Sequence, residues 1–420
     1  MFRFLHAADI HLDSPLRGLE AYQDAPVEQI RSATRRAFDN LVDLAIQEEV
    51  AFVVLAGDLF DGDWKDYNTG LYFINRMGRL KEAGIGVFMV SGNHDAASQI
   101  TRALHLPDNV KLFSHKKPET RILDALDVAI HGQSFPSRAV TDDLARNYPQ
   151  AQQGLFNIGL LHTALTGRPG HEPYAPCTLD GLKSKGYQYW ALGHVHQREE
   201  VSREPWIIFP GNIQGRHIRE TGPKGCTLVT VDEGEVVGVE HRDTDVLRWA
   251  RCRVDVSGCN TNEECLDLVR QAFEEELDRA ESRPVAVRLS LEGATPLHTN
   301  LHERSIHWME EFRAIAAGLL DVWLEKVVFS TRSKAQLDAA AVEGSPLSVL
   351  NKTVEGLRLG GSRILDLVPE FEQLRSKLPP ELLGEEEPFS PGEEEMASLC
   401  DDIRELLMGK LMREEGRHED

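Results

Sequence analysis

Five segments of the chain end an apolar run in residues able to bind metal or move protons. Phe4-Leu5-His6-Ala7-Ala8 leads into Asp9-Ile10-His11, Phe52-Val53-Val54-Leu55-Ala56 into Gly57-Asp58-Leu59-Phe60-Asp61, and Val87-Phe88-Met89-Val90 into Ser91-Gly92-Asn93-His94-Asp95. Ile158-Gly159-Leu160-Leu161 then leads into His162, and Tyr189-Trp190-Ala191-Leu192 into Gly193-His194-Val195-His196. Taken singly these are weak signals, because Asp-x-His and Gly-Asp are common in turns and caps, and a lone histidine is usually an ordinary hydrogen-bonded side chain. Their order, D-x-H, G-D-x-x-D, G-N-H-D, H, G-H-x-H, points to one shared metal centre. Open α/β sheets place their chemistry beyond the carboxyl ends of their strands.

The donors are oxygen and imidazole with no thiolate, which suits manganese, iron or zinc, and an oxygen-rich set favours manganese. Two divalent metals about 4 Å apart need a bridging group. Asp58 is the best bridge. Asp9, His11 and His196 would complete the first metal's ligands, and Asn93, His162 and His194 the second's. A neutral asparagine limits the negative charge and leaves room for an anionic phosphate, which activated water would attack in line. His94 is placed to hydrogen-bond the phosphate or to protonate the leaving oxygen. Asp95 either orients His94 or caps the helix that follows. Asp61 either fixes a ligand imidazole from behind or is a solvent-facing loop acid. Arg17, Arg216, Arg219 and Lys224 lie near the motif loops, as phosphate contacts or as ordinary surface cations.

The elements that must position these residues follow from periodicity. Residues 1–92 alternate apolar strands with two helices, from about Val27 to Gln47 and from about Tyr67 to Ala83, whose apolar positions recur at helical spacing. That order means parallel strands with helices packed on the faces. From about 104 to 240 short strands follow one another, as in the second half of a two-sheet sandwich. Beyond Asp245 a β-α-β-α-β pattern reaches about residue 335, and the chain after that is helical with breaks. The expected fold is α/β: a two-sheet sandwich with helices on the outer faces over 1–244, a small α+β domain over 245–335 and a helical, acidic region over 336–420.

The net charge of −22 argues against a generally basic nucleic-acid wrapper. Residues 381–420 carry 14 acidic and 4 basic side chains, so that segment contributes −10 and the rest −12. Bound divalent cations would change the sign locally, so DNA is not excluded as a substrate. No apolar run reaches the length of a membrane span, and the N-terminus lacks signal-peptide features. A cytoplasmic location is expected. The six cysteines form no C-x-x-C pair, so a zinc knuckle is not expected.

The motif set resembles the calcineurin-like metallophosphoesterase superfamily, and within it the SbcD/YhaO type of DNA repair exonuclease subunit. Phe2–Leu12, Gly57-Asp58-Leu59-Phe60-Asp61, Gly193-His194-Val195-His196 and the turn Phe209-Pro210-Gly211-Asn212 carry that narrower likeness. The resemblance implies a metallophosphoesterase sandwich and a manganese-dependent DNA nuclease, 3′-to-5′ exonuclease with endonuclease action besides. Asp9, His11, Asp58, Asn93, His162, His194 and His196 would be ligands and His94 the catalytic histidine. It also implies a DNA-capping role for about 245–335, an SMC-like coiled-coil ATPase as partner, docked through the C-terminal region, and a homodimer. The chain departs from the pattern in having Asp61 where relatives usually have histidine, and Asn212-Ile213-Gln214-Gly215-Arg216-His217 in place of a serine-bearing turn. Two other readings are a phosphoesterase for small-molecule or protein substrates and a metal-binding scaffold for the ATPase.

Overall fold

A computed structural model describes residues 1–16, 19, 32–61, 67–97, 105–165, 175–334, 348–350, 352–354, 403 and 407. Of the helical, acidic region expected over 336–420 only residues 348–350, 352–354, 403 and 407 are described; the rest of it and Arg17 lie outside the described residues. Strands β1 (Phe2–Ala7), β2 (Phe52–Ala56) and β3 (Gly86–Val90) are parallel neighbours. Each is a nearly unbroken apolar run, as burial on both faces demands. Helix α1 (Ala33–Gln47) turns Ala37, Phe38, Leu41, Val42 and Ala45 onto one face of this sheet, and α2 (Tyr67–Glu82) contributes Phe73, Met77 and Leu80 to the same core. The short α3 (Asn93–Ala97) begins at the polar trio itself.

The second sheet is built from β5 (Glu119–Leu123), β6 (Val128–Gly132), β7 (Phe156–His162), β8 (Tyr189–Gly193), β9 (Glu199–Arg203) and β10 (Trp206–Phe209), in the order β5-β6-β7-β8-β10-β9. With β4 (Val110–Leu112), β11 (Gly225–Asp232) and β12 (Glu235–Asp243), the first sheet reads β12-β11-β1-β2-β3-β4. The inner faces meet in a core of Phe4, Phe52, Val54, Val90, Ile130, Ile158, Tyr189 and Ile208. Buried His6 spans the two sheets behind the site, its Nδ1 3.0 Å from the Tyr189 hydroxyl and its Nε2 3.0 Å from the Leu192 carbonyl. Burial pushes that imidazole down to about 3. It is a neutral structural link.

Strands β5 and β9 go beyond the sequence reading. Both are polar, half-exposed edge strands with no apolar alternation to announce them.

The chain divides into two units: 1–252 with 272–289 and 313–326, and 253–271 with 290–312 and 327–420. Strands β13 (Arg248–Asp255), β14 (Val285–Thr295) and β15 (Val322–Ser333) form a three-stranded sheet in that order. Helices α4 (Asn262–Arg279), α5 (His298–Glu303) and α6 (Ser305–Gly318) follow β13 and β14 in sequence. Where the β-α-β-α-β pattern expects one helix between its last two strands there are two, divided at Arg304, whose backbone leaves helical geometry. No helix among the described residues is long and apolar enough to cross a membrane.

Candidate metal centre

Every candidate side chain stands at the carboxyl end of a parallel strand in the first unit, from β1, β2 and β3 in one sheet and β7 and β8 in the other. The backbone is strained there: Asp9, His11, Asp58 and His194 all have positive φ, at 50°, 45°, 53° and 109°. Such conformations cost about 1–3 kcal/mol each and persist where the surroundings over-determine them, often at functional sites. Glycines permit the close approach. A Cβ on Gly193 would lie 2.0 Å from the Ala56 carbonyl, and one on Gly57 2.5 Å from His162 Nδ1.

Three trios offer ligand atoms lying within 4.8 Å of one another: Asp9, His11 and His196; Asp58, His162 and His194; and His11, Asp61 and His94. His11 Nε2 and His196 Nε2 face each other at 3.3 Å, and Asp9 Oδ1 is 3.8 Å from His196 Nε2. In the second trio Asp58 Oδ2 lies 3.3 Å from His162 Nε2, and Asn93 Oδ1 lies 2.9 Å from the same nitrogen. His162 Nδ1 is fixed by the Ala56 carbonyl at 2.9 Å. The backbone N–H of His194 donates to Asp9, and that of His94 to Asp58 Oδ1. Asp58 stands with the second trio.

The donor set fits divalent metals. His11 Nδ1 is 3.7 Å from Asp61 Oδ1, too far to bond, and has no other hydrogen-bond partner although buried. Burial first, then Arg216, pushes the His11 imidazole down to about 3, so it is neutral and able to ligate near pH 7. Burial would lower His162 too, but Asp58 and Asp9 hold its proton and raise it to about 9. Burial pushes the Asp58 carboxyl up, yet His162, with His94 and His11, more than reverses this and holds it well below the usual carboxylate range. Where no metal is bound, the His162 proton supplies the positive charge this pocket demands.

Asp61 and Asp95 differ sharply. Asp61 Oδ1 is 3.2 Å from His94 Nδ1, and its Oδ2 accepts from Ser14 Oγ at 2.8 Å. Asp95 joins no trio. Its carboxylate accepts from the backbone N–H groups of Leu59, Phe60 and Gly92 at 3.2, 3.0 and 3.1 Å, tying the turn after β2 to the turn after β3. Of the two readings of Asp95, that of orienting His94 is corrected: its oxygens are committed to backbone donors, one of them the Gly92 N–H at the start of α3, as the capping reading expects, and Asp61 takes the place beside His94. Burial, with Asp58 nearby, pushes Asp95 up to about 6.

Sequence reasoning missed Glu220. Its Oε1 is 2.6 Å from His196 Nδ1 and its Oε2 accepts from Asn212 Nδ2 at 2.8 Å. A carboxylate behind an imidazole fixes the tautomer and turns Nε2 toward the centre. The available signal was an Arg-His-Ile-Arg-Glu run in the turn after the last histidine pair. Lys224 is buried and donates to the His196 carbonyl at 3.0 Å, which makes it a support of the backbone rather than a surface cation. Arg219 donates its backbone N–H to His217 Nδ1.

Gly92 supplies a direct test of the cradle. A Cβ there would stand 2.2 Å from Asp58 Oδ1 and 2.9 Å from the Asp58 backbone nitrogen. Gly92→Ala is expected to displace the carboxylate and weaken metal retention roughly tenfold or more, judged by what supporting residues are worth to metal sites. Elemental analysis after dialysis against graded chelator measures this. Wild-type retention would show that the turn yields without moving Asp58.

Residues 2–198 match the family Calcineurin-like phosphoesterase, and residues 249–332 match Metallophosphoesterase YhaO, middle domain. The chain is 38% identical over 326 residues to the uncharacterized metallophosphoesterase YhaO of Bacillus subtilis, covering 77% of this chain and 76% of that one. It is 28% identical over 303 residues to the DNA double-strand break repair protein Mre11 of Methanopyrus kandleri and 27% over 265 residues to that of Sulfurisphaera tokodaii. Those alignments cover 64% and 59% of this chain, and 62% and 64% of the archaeal proteins, less than two thirds of their length. With the YhaO likeness running over three quarters of both chains, and strand-end clusters suited to two divalent metals, the chain belongs to the calcineurin-like metallophosphoesterase family.

Proposed function

We propose that this phosphoesterase is a phosphodiesterase acting on DNA, most active with manganese, and that it cleaves as a 3′-to-5′ exonuclease with endonuclease action besides. The convergence of the three donor trios at five strand ends carries the reading. The Mre11 proteins it resembles are DNA double-strand break repair proteins, and that likeness supports DNA over other phosphoesters. The net charge of −22 weighs the other way and favours a small phosphoester as the second reading.

In this reading Asp9, His11 and His196 would hold one metal and Asn93, His162 and His194 the other, with Asp58 available to both. The metals, when bound, polarise the phosphate and activate water. The protein's own residues do the rest. Glu220 and the Ala56 carbonyl orient His196 and His162. Asp61 holds His94 by Nδ1, so the proton for the leaving oxygen is that of Nε2. Asp95 keeps the two turns in register. The segment 245–335 caps the DNA, 336–420 docks a coiled-coil ATPase of SMC-like type, the protein works as a homodimer, and it acts in the cytoplasm in DNA repair.

The test is degradation of end-labelled linear duplex DNA with manganese, beside a chromogenic phosphodiester and a phosphomonoester. Manganese-dependent loss of DNA from one labelled end is expected. Turnover of the small esters with DNA left intact would replace the DNA reading by the small-substrate one. Metal binding without turnover of any of them would favour a scaffold.

A further inference from the structure

Arg216 stands between two carboxylates, and each of them holds one histidine of the centre. On one side its Nη2 lies 3.2 Å from Glu220 Oε1, and its backbone N–H donates to Glu220 Oε2 at 2.7 Å. Glu220 in turn holds His196. On the other side Nη1 is 3.4 Å from Ser14 Oγ and 4.0 Å from Asp61 Oδ2, and Ser14 itself donates to Asp61. Asp61 holds His94. The Arg216 side chain is only 13% exposed and that of Glu220 5%. Glu220, withdrawn from water, needs a cation beside it, and the same cation faces Asp61, whose side chain is 25% exposed. A planar guanidinium can serve both with separate nitrogens, which an ammonium cannot do at fixed spacing.

The loop that delivers the guanidinium is itself fixed. Trp249 Nε1 donates to the Gly215 carbonyl at 3.0 Å, and Gln214 Nε2 to the Leu247 carbonyl at 2.8 Å. A Cβ on Gly215 would lie 2.7 Å from the Glu220 carbonyl and 2.9 Å from the Trp249 ring. Arg216 therefore arrives at the centre from a tightly packed turn.

We infer that Arg216 is a positioning residue, holding the Asp61–His94 pair and the Glu220–His196 pair at the spacing that in-line cleavage requires. This rests on the phosphodiesterase reading above. In the step concerned, the bond from phosphorus to the leaving oxygen breaks and its electron pair stays on that oxygen. The oxygen takes a proton from His94, while a water oxygen forms the new bond to phosphorus and its proton passes to solvent. A misplaced His94 penalises esters whose leaving oxygen is basic and needs the proton. It spares those that leave readily as anions.

The experiment compares bis(4-nitrophenyl) phosphate with diphenyl phosphate, whose leaving phenol is far more basic, using the full manganese-loaded chain. Arg216→Gln is expected to lower kcat on diphenyl phosphate about tenfold more than on the nitrophenyl ester, a part of what a general acid is worth. KM and metal content should stay within about twofold, since a positioning defect acts on kcat. His94→Gln should show the same selectivity, and adding Arg216→Gln to it should not increase it. Arg216→Lys, which keeps the charge, should recover only part of the loss and guards against a folding artefact. Equal losses on both esters, or a raised KM with kcat intact, would overturn the inference; the latter would make Arg216 a substrate contact. If the wild type cleaves neither ester, degradation of the end-labelled DNA decides the phosphodiesterase reading, which fails if the DNA too is left intact. The inference is then judged by the His94 and His196 ring signals in proton NMR of the chelated, metal-free full chain: displacement of both in Arg216→Gln supports positioning, and unchanged signals refute it.

Discussion

A protein with His94 replaced by glutamine is expected to keep both metals and lose a hundredfold or more in phosphodiester turnover, within the 10²–10⁴ a positioned proton donor supplies. His94 belongs to a trio with His11 and Asp61, so geometry alone allows two roles, ligand or proton donor. Its surroundings favour the donor. Nδ1 is 3.2 Å from Asp61, the ring meets His11 edge-on at 5.0 Å, and the side chain is 20% exposed, access that a group meeting a substrate needs. Exposure by itself does not set the role, since His196, grouped with Asp9 and His11, is 28% exposed. The backbone N–H of residue 94, which donates to Asp58, survives the substitution, so the Asp58 carboxylate keeps its anchor. Metal per chain by elemental analysis, with kcat on a phosphodiester, separates the roles. Loss of a metal together with activity would make His94 a ligand and remove it as the donor.

The sequence made the apolar strands and their polar ends legible because each signal is local. An unbroken run such as Phe52–Ala56 needs burial on both faces, and the acid or imidazole that follows has few reasons to stand there. Residues whose purpose lies in a distant partner left no such trace. Glu220 is an unremarkable loop acid until folding brings it to His196, 24 residues back in the chain. Ser14 is a loop serine until it meets Asp61, 47 residues on. Asp95 shows the opposite error. Its place directly after Asn93-His94 suggested chemistry, but two of the three backbone N–H groups that converge on it, those of Leu59 and Phe60, come from a turn that local reading could not bring near. The polar edges β5 and β9 failed for a related reason, since an edge strand owes its conformation to one neighbour rather than to its own pattern.

Asp58→Asn is expected to abolish metal-dependent turnover and, in chelated protein, to erase an alkaline loss of stability. In metal-free protein His162 is raised from 6.5 to about 9, chiefly because Asp58 and Asp9 outweigh the cost of burial. A raised histidine stabilises the fold fully below its unfolded value of 6.5, and that contribution fades as pH climbs through about 9. The difference corresponds to roughly 3 kcal/mol. Asp58, held below its ordinary value, acts in the opposite sense: its contribution is present above about 4 and fades as pH falls. The pair thus confers a stability plateau between about pH 4 and 6.5 with losses on both sides. Asparagine at position 58 withdraws the nearer counter-charge. Burial then governs His162 more strongly, and its preference moves toward the neutral form, so stability no longer falls between pH 6.5 and 9. Metal should have the same effect in the wild type, because a divalent ion displaces the His162 proton and supplies the charge itself. Thermal midpoints at pH 6.5 and 9.5, with chelator and with manganese, test all three statements. A chelated wild type equally stable at both values, or an Asp58→Asn protein that loses as much as the wild type, would mean that Asp58 does not hold the His162 proton.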